Sequence, residues 1–323
     1  MYKRQPNTQI SIPGVTEKDW RCIDWALSHE LNYLALSFVR TPDDVAQVKQ
    51  YLSKQDSDIK VIAKIEKPQA LEHIEDIIRV SDAILVARGD MGVEMDLAQV
   101  PLIQKRITRL CRQHGRPVIV ATQMLQSMIE RPVPTRAEVS DVANAIFDLT
   151  DAVMLSGETA VGKYPLAAVQ WMQRIAACTE RYLDQHRGPR SRYYTDEELK
   201  LTAVLSRCVA EIVDDSEAKF VVVWSQSGAT SRLMSKARID VPIIALSSDA
   251  RMCEQMNLHY GVMPVCLPIP KDIQAFARQV EQLLLNRHLA QVGDQIVLVA
   301  GATLGEAGTT NSVMIHTIAG ALI

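Results

Sequence analysis

Residues 60–90 read KVIAKIEKPQALEHIEDIIRVSDAILVARGD. Two apolar runs, 60–65 and 82–87, bracket a helix-length segment that opens on Pro68. Both runs are rich in Val, Ile, Leu and Ala and alternate only weakly, as strands of a parallel sheet do when both faces are covered. Working outward, the same pattern returns at 33–38 (YLALSF), 117–122 (PVIVAT) and 151–155 (DAVML), with helices filling the gaps. Thr16-Glu17-Lys18-Asp19 has the form of a capped helix start, and Thr41-Pro42-Asp43-Asp44 adds Pro at N1 and first-turn acids. A helix over 97–114 finds its stop at Gly115. Five βα units in this rhythm predict a parallel sheet with right-handed crossovers.

A long helix near 164–185 is followed by HRGPRSRYYTDEE (186–198), whose Pro, Gly and mixed charges mark a linker. The rhythm then restarts with a helix over 196–214 and strands at 219–224, 242–246, 262–266, 294–300 and 312–318. Helices are expected near 229–238, 249–258 and 271–289. Two domains are therefore expected, 1–187 and a smaller α/β domain over 188–323. The length of 323 residues agrees with that division. With 47% hydrophobic and 23% charged residues, and a net charge of only −3, the chain is neither disordered nor suited to nucleic acid or an anionic membrane surface. No apolar run reaches the ~18 residues of a transmembrane helix, and the opening MYKRQPNTQISIPGV has no apolar signal core. Six scattered cysteines without a C-x-x-C pair are expected to be reduced, mostly as small core fillers, in a cytoplasmic protein.

Function in a parallel α/β protein gathers at the carboxyl ends of the strands. There the chain presents Lys64-Ile65-Glu66, Arg88-Gly89-Asp90, Thr122-Gln123 and Ser156-Gly157-Glu158-Thr159. Residues two apart on a strand share a face, which sets Lys64 beside Glu66. Glu66 and Asp90, on neighbouring strand ends, form a carboxylate pair suited to Mg²⁺ or Mn²⁺ with open positions for water and substrate. A metal with an ammonium beside it suits the charge of an enolate or a transferring phosphoryl group. Gly89 allows close approach of a substrate carboxylate to the backbone. Three alternatives stand on the residues alone: metal-assisted chemistry, a Schiff-base lysine at Lys64, or a structural Lys64–Glu66 pair with Asp90 as a helix cap. Arg88 is expected to bridge strand ends, and none of the seven histidines shows ligand spacing. In the second domain Ser225, Ser227, Gly228, Thr230 and Ser231 form a hydroxyl-rich turn opening a helix, a candidate phosphate cradle that the loop 301–310 would close over.

Several stretches resemble the pyruvate kinase family: SFVRTPDDV (37–45), AKIEKPQAL (63–71), ILVARGDMGVE (84–94), QVPLIQKRI (99–107), the long run from Pro117 to Pro165, SQSGATS (225–231) and GTTNSVMIHTI (308–318). The resemblance implies that the five βα units are part of a TIM (β/α)₈ barrel, followed by a smaller three-layer α/β domain. It implies phosphoryl transfer between phosphoenolpyruvate and ADP, giving pyruvate and ATP. Lys64 would then stabilise the moving phosphoryl group and the enolate, and Glu66 and Asp90 would hold Mg²⁺ or Mn²⁺. The backbone of Gly89 and Asp90 would hold the substrate carboxylate, and Thr122 would contact substrate and support proton delivery. The segment Thr135-Arg136-Ala137-Glu138 resembles one near the family's subunit contact, so a homo-oligomer is expected.

Family members carry three further barrel strands and an inserted lid before the segment that IPGVTEKDW (12–20) resembles. Those parts supply K⁺ ligands and much of the nucleotide contact, so none is assigned in this chain. With half of the positioning groups missing, the chain as it stands is expected to be inactive or weak. Two further functions remain in view. One is a non-catalytic regulatory or binding subunit related to pyruvate kinase. The other is a metal-dependent enolate enzyme such as an oxaloacetate decarboxylase. Five strands do not close an eight-stranded barrel, so a loosely packed or covered N-terminal edge is expected.

Overall fold

The computed structural model describes residues 14–186, 200–301 and 303–320. Apart from His186, the linker expected at 186–198 lies outside the described residues, as does Ala302 of the 301–310 loop. The chain divides into two compact units, Met1–Pro189 and Arg190–Ile323.

In the first unit, β1 (Tyr33–Leu36), β2 (Lys60–Ile65), β3 (Ala83–Ala87), β4 (Val118–Ala121) and β5 (Ala152–Met154) form one sheet in sequence order. Every adjacent pair is parallel. One face of β2 and β3, with Val61, Ala63, Ile65, Ile84 and Val86, packs on a core that includes Ile74, Ile77, Ile78 and Ile107 from the connecting helices. The register aligns the other face in rows: Lys64 neighbours Leu85, Leu85 neighbours Ile119, and Ile119 neighbours Ala152. Side chains are buried on both faces of β3 and β4, which explains the unbroken apolar runs. The edge strand β1 is only half covered, and Ala35 is exposed.

Local chemistry sets the element ends. Thr16 accepts from the Asp19 N–H at 3.3 Å and Asp19 Oδ2 accepts from the Thr16 N–H at 2.8 Å, a reciprocal cap that starts helix Glu17–Ser28. Asp44 returns the same favour to Thr41, 3.0 Å from its N–H, at the head of helix Pro42–Lys54. Three spans differ from expectation. The strand expected over 33–38 stops at Leu36, because Phe38 turns the chain in the left-handed region at φ 57°. The strand expected over 117–122 stops at Ala121, because Thr122 and Gln123 take φ 70° and 55°. The helix expected over 97–114 begins as a 3₁₀ turn, Leu97–Gln99, before Val100–Gln113. The cysteines also differ. Cys111 and Cys253 are buried, but Cys22, Cys178, Cys208 and Cys266 are exposed, the first three on helices whose opposite faces carry the core.

The second unit is a three-layer sandwich. Its sheet runs β10 (Thr310–Thr317), β9 (Gln295–Gly301), β6 (Ala218–Trp224), β7 (Ile243–Ser247), β8 (Val262–Cys266), with β10 antiparallel and the rest parallel. Helices Lys200–Asp214, Ala229–Lys236 and Ala250–Met256 bury Val209, Met234 and Met256 against one face, with Val221 and Val297. Helix Ile273–Asn286 buries Phe276, Val280 and Leu284 against the other, with Val222 and Leu246. No described helix is long and apolar enough to cross a membrane.

Candidate active site

The carboxyl end of β2 projects Lys64 and, one residue beyond it, Glu66. Their alternation on the strand brings Lys64 Nζ to 2.6 Å from Glu66 Oε1, and Lys64 also donates to Ser37 Oγ at 2.9 Å. Glu66 is 1% exposed and Lys64 24%, so the carboxylate is sunk while the ammonium still reaches the surface. Glu66 Oε2 accepts the Phe38 N–H at 2.8 Å, a bond made available by the left-handed turn that ends β1. No donor among the described residues meets Glu66 Oε1 in hydrogen-bonding geometry, so its compensation is the Lys64 ion pair and its remaining lone pair is free for a cation.

Asp90 lies in the first turn of helix Arg88–Glu94, which begins directly after β3. Glu66 and Asp90 therefore follow adjacent strands. Both are hard oxygen donors, and the buried, incompletely bonded Oε1 of Glu66 is of the kind that suits a hard divalent cation such as Mg²⁺ or Mn²⁺. Among the described residues, no group of three or more His, Cys, Asp or Glu side chains is arranged to hold a metal.

The end of β4 meets the end of β3 through Thr122. Its Oγ1 accepts the Gly89 N–H at 2.8 Å and donates to Ala121 O at 2.6 Å. A Cβ on Gly89 would stand 3.3 Å from that oxygen, so a larger residue would crowd the contact. Arg88 holds the strained pair from behind. Its guanidinium donates to Thr122 O at 2.9 Å, to Gln123 O at 3.5 Å, and to Asp141 Oδ1 at 2.6 Å on helix Arg136–Phe147. The structure thus joins Lys64 to Glu66 and Gly89 to Thr122. Two participants went unread in the sequence, Ser37 and the Phe38 backbone. Their motif SFVRTPDDV was visible, but nothing local reveals that the chain turns back onto a neighbouring strand. Glu158, also at a strand end, is structural: it accepts the N–H groups of Leu125 and Ser156 at 3.0 and 2.8 Å.

In the second unit Gly228 precedes helix Ala229–Lys236 at φ 74°. Ser227 is exposed, whereas Ser225, Thr230 and Ser231 are buried. Ser225 Oγ accepts the Ser231 N–H at 3.1 Å, Ser231 Oγ contacts His259 Nδ1 at 3.0 Å, and Thr230 Oγ1 meets Thr310 Oγ1 at 2.7 Å. The end of the 301–310 loop is thereby tied to the turn. His259 lies beside two cationic side chains, Arg232 and Lys236. Burial, then Arg232 and Lys236, push its pKa down to about 3, although part of the residue reaches the surface.

Comparison with known proteins supplies the family. The pyruvate kinase barrel domain model matches residues 3–169, and the pyruvate kinase alpha/beta domain model matches residues 203–316. The pyruvate kinase of Methylorubrum extorquens is 41% identical over 313 residues, 96% of this chain and 64% of that relative. That of Mycobacterium tuberculosis H37Rv is 40% identical over 313 residues, 97% of this chain and 65% of the relative. That of Bacillus licheniformis is 40% identical over 314 residues, 97% of this chain and 53% of the relative. The chain thus spans between about half and two-thirds of the length of these relatives, and nearly all of its own length is matched. The barrel model covers the unit of five parallel βα repeats and the alpha/beta model the three-layer unit that follows it, so the chain belongs to the pyruvate kinase family.

Proposed function

We propose that this chain carries the metal and enolate side of a pyruvate kinase, which interconverts phosphoenolpyruvate plus ADP with pyruvate plus ATP. The observation that carries the proposal is Lys64 held at 2.6 Å from a buried Glu66, one strand away from Asp90. Mg²⁺ or Mn²⁺ held by Glu66 and Asp90 would supply Lewis-acid charge stabilisation. Lys64 places a fixed ammonium where enolate and phosphoryl charge develops, and its two anchors, Glu66 and Ser37, remove the cost of reorganising it during reaction. The N–H groups of Gly89 and Asp90, at the head of helix Arg88–Glu94, receive the substrate carboxylate, which displaces the Thr122 hydroxyl from Gly89 and turns it toward the enolate carbon. K⁺ is part of the family's chemistry, and no residue of this chain is assigned to it. A homo-oligomer in the cytoplasm, and an effector phosphate on Ser227, the Gly228 backbone and the Ser225, Thr230 and Ser231 turn, belong to the same proposal. The Ser225, Thr230 and Ser231 hydroxyls already serve the turn, so the phosphate would rest mainly on Ser227 and backbone N–H groups.

The test has two arms. In a lactate-dehydrogenase-coupled assay with Mg²⁺ and K⁺, the weak turnover expected of this chain should fall about 10²–10³-fold in Lys64→Met, the usual loss on removing one preorganised charge-stabilising donor. In a Mn²⁺ titration read by electron paramagnetic resonance, Glu66→Gln and Asp90→Asn are expected to weaken binding. Unchanged turnover in Lys64→Met, or Mn²⁺ affinity indifferent to both carboxylates, overturns the proposal. Because Lys64, Glu66 and Asp90 need no nucleotide to act on an enolate, pyruvate release from oxaloacetate without ADP is the outcome that would favour the decarboxylase function instead. Mn²⁺ binding with no turnover of either substrate would favour a regulatory subunit.

A further inference from the structure

Two cysteines meet at the edge of the second unit's sheet. β8 is an edge strand, and its last residue, Cys266, is the register partner of Ser247 on β7. Side chains alternate along a strand. Val262 packs with the cluster that holds Cys253 and Met256, whereas Val265 belongs to the cluster on the opposite face. Cys266, an even number of residues from Val262, therefore shares the face covered by helix Ala250–Met256. From that helix the Cys253 thiol donates to Ser247 O at 3.9 Å, and Ser247 is the strand neighbour of Cys266. Cys253 is buried and Cys266 is exposed. A thiol on the covering helix and a thiol on the covered face of the edge strand, both next to Ser247, are placed where a disulfide can join helix to strand.

We propose that Cys253 and Cys266 are a redox modification site, closing to a reversible disulfide on exposure to hydrogen peroxide. The exposed Cys266 thiolate attacks a peroxide oxygen. The O–O bond breaks, hydroxide leaves, and Cys266 becomes a sulfenic acid. The Cys253 sulfur then attacks the Cys266 sulfur, the S–O bond breaks, and the departing oxygen leaves as water with the Cys253 proton. In sum two thiols lose two electrons and two protons, and one peroxide becomes two waters. Cys253 is unsuited to the first step, because burial and the adjacent sulfur raise its thiol to about 11. It is placed to resolve the sulfenic acid, since it lies beside Ser247, the strand neighbour of Cys266, on the sheet face that Cys266 shares. A small thiol reverses the bond by exchange.

The experiment treats the full chain with hydrogen peroxide, blocks remaining thiols with iodoacetamide under denaturing conditions, and maps peptides by mass. Cys253 and Cys266 are expected to lose alkylation together, as one linked peptide pair lighter by two hydrogens, and to regain it after dithiothreitol. Cys266→Ser, an exposed substitution, is expected to leave Cys253 alkylatable after the same treatment. Cys253→Ala is expected to let Cys266 proceed to sulfinic acid. The proposal is overturned if Cys266 of the unaltered chain reaches sulfinic acid while Cys253 stays alkylatable, if Cys266 links to a second chain or to Cys22, Cys178 or Cys208, or if Cys253 is oxidised equally in Cys266→Ser.

Discussion

At the scale of single residues, the site depends on strain held by a buried arginine. Thr122 is β-branched and sits at φ 70°, a conformation that costs of order 1–3 kcal/mol and persists only when its surroundings enforce it. Arg88 is the enforcer, bonding the carbonyls of Thr122 and Gln123 from one guanidinium. Lys has one point charge and no planar fork, so Arg88→Lys leaves one of these carbonyls or Asp141 unpaired. Its expected loss is about 1–3 kcal/mol in urea unfolding, the cost of one orphaned buried polar group. His259 gives a second prediction at this scale. Its folded pKa of about 3 lies far below the ordinary 6.5. As pH falls below 6.5 the unfolded chain takes up a proton that the folded chain refuses, so stability declines, by at most about 1.4 kcal/mol per pH unit. Urea midpoints measured between neutral and mildly acidic pH are expected to fall less steeply in His259→Asn than in the unaltered chain.

At the scale of elements, helix Arg136–Phe147 shows how a local signal acquires a tertiary task. Thr135 and Glu138 form its capping box: Glu138 Oε2 accepts the Thr135 N–H at 2.8 Å, and Thr135 Oγ1 accepts the Glu138 N–H at 3.3 Å. The same carboxylate accepts the N–H and hydroxyl of Ser127 at 2.6 Å each, tying the helix to the 3₁₀ turn Gln126–Ile129. Partial burial pushes the Glu138 carboxyl up, but the Ser127 and Thr135 hydrogen bonds outweigh it and hold the pKa below the ordinary 4.5. A depressed carboxyl contributes stability above its unfolded pKa and loses it as pH falls toward the folded value. The difference in unfolding free energy between the unaltered chain and Glu138→Gln should therefore be constant above about pH 5 and shrink as the pH drops through 4.5. Thr135→Ala is expected to cost about 1 kcal/mol, the worth of a lost N-cap.

At the scale of the whole first unit, coverage is uneven across its sheet. β3 and β4 are buried on both faces and flanked by strands, whereas β1 pairs with β2 alone among the described strands and is half exposed. Amides on an edge strand open by smaller fluctuations than amides in the centre. Native-state hydrogen exchange should therefore show Tyr33–Leu36 less protected than Val118–Ala121. Equal protection of the two strands would mean that something other than the described sheet covers β1.

Much of this architecture is written locally. The apolar runs placed all ten described strands to within about two residues, most plainly β3 and β4, where burial on both faces leaves a pattern that needs no partner to recognise. The caps at Thr16, Thr41 and Thr135 are likewise local, since each hydrogen bond spans three residues. Lys64 beside Glu66 followed from strand geometry alone. Long-range contacts were not legible. Ser37 reaches Lys64 and Phe38 reaches Glu66 only because β1 lies against β2, across 27 and 28 residues of sequence. Arg88 meets Asp141 across 53 residues, and Cys253 comes to the same sheet face as Cys266 only because a helix folds over an edge strand. The sequence by itself determined which elements form and which residues stand at their ends, because propensity and periodicity act over a few residues. Only the tertiary structure decided which of those ends touch and which charges are buried, because contact and desolvation depend on what the rest of the chain brings to the same place.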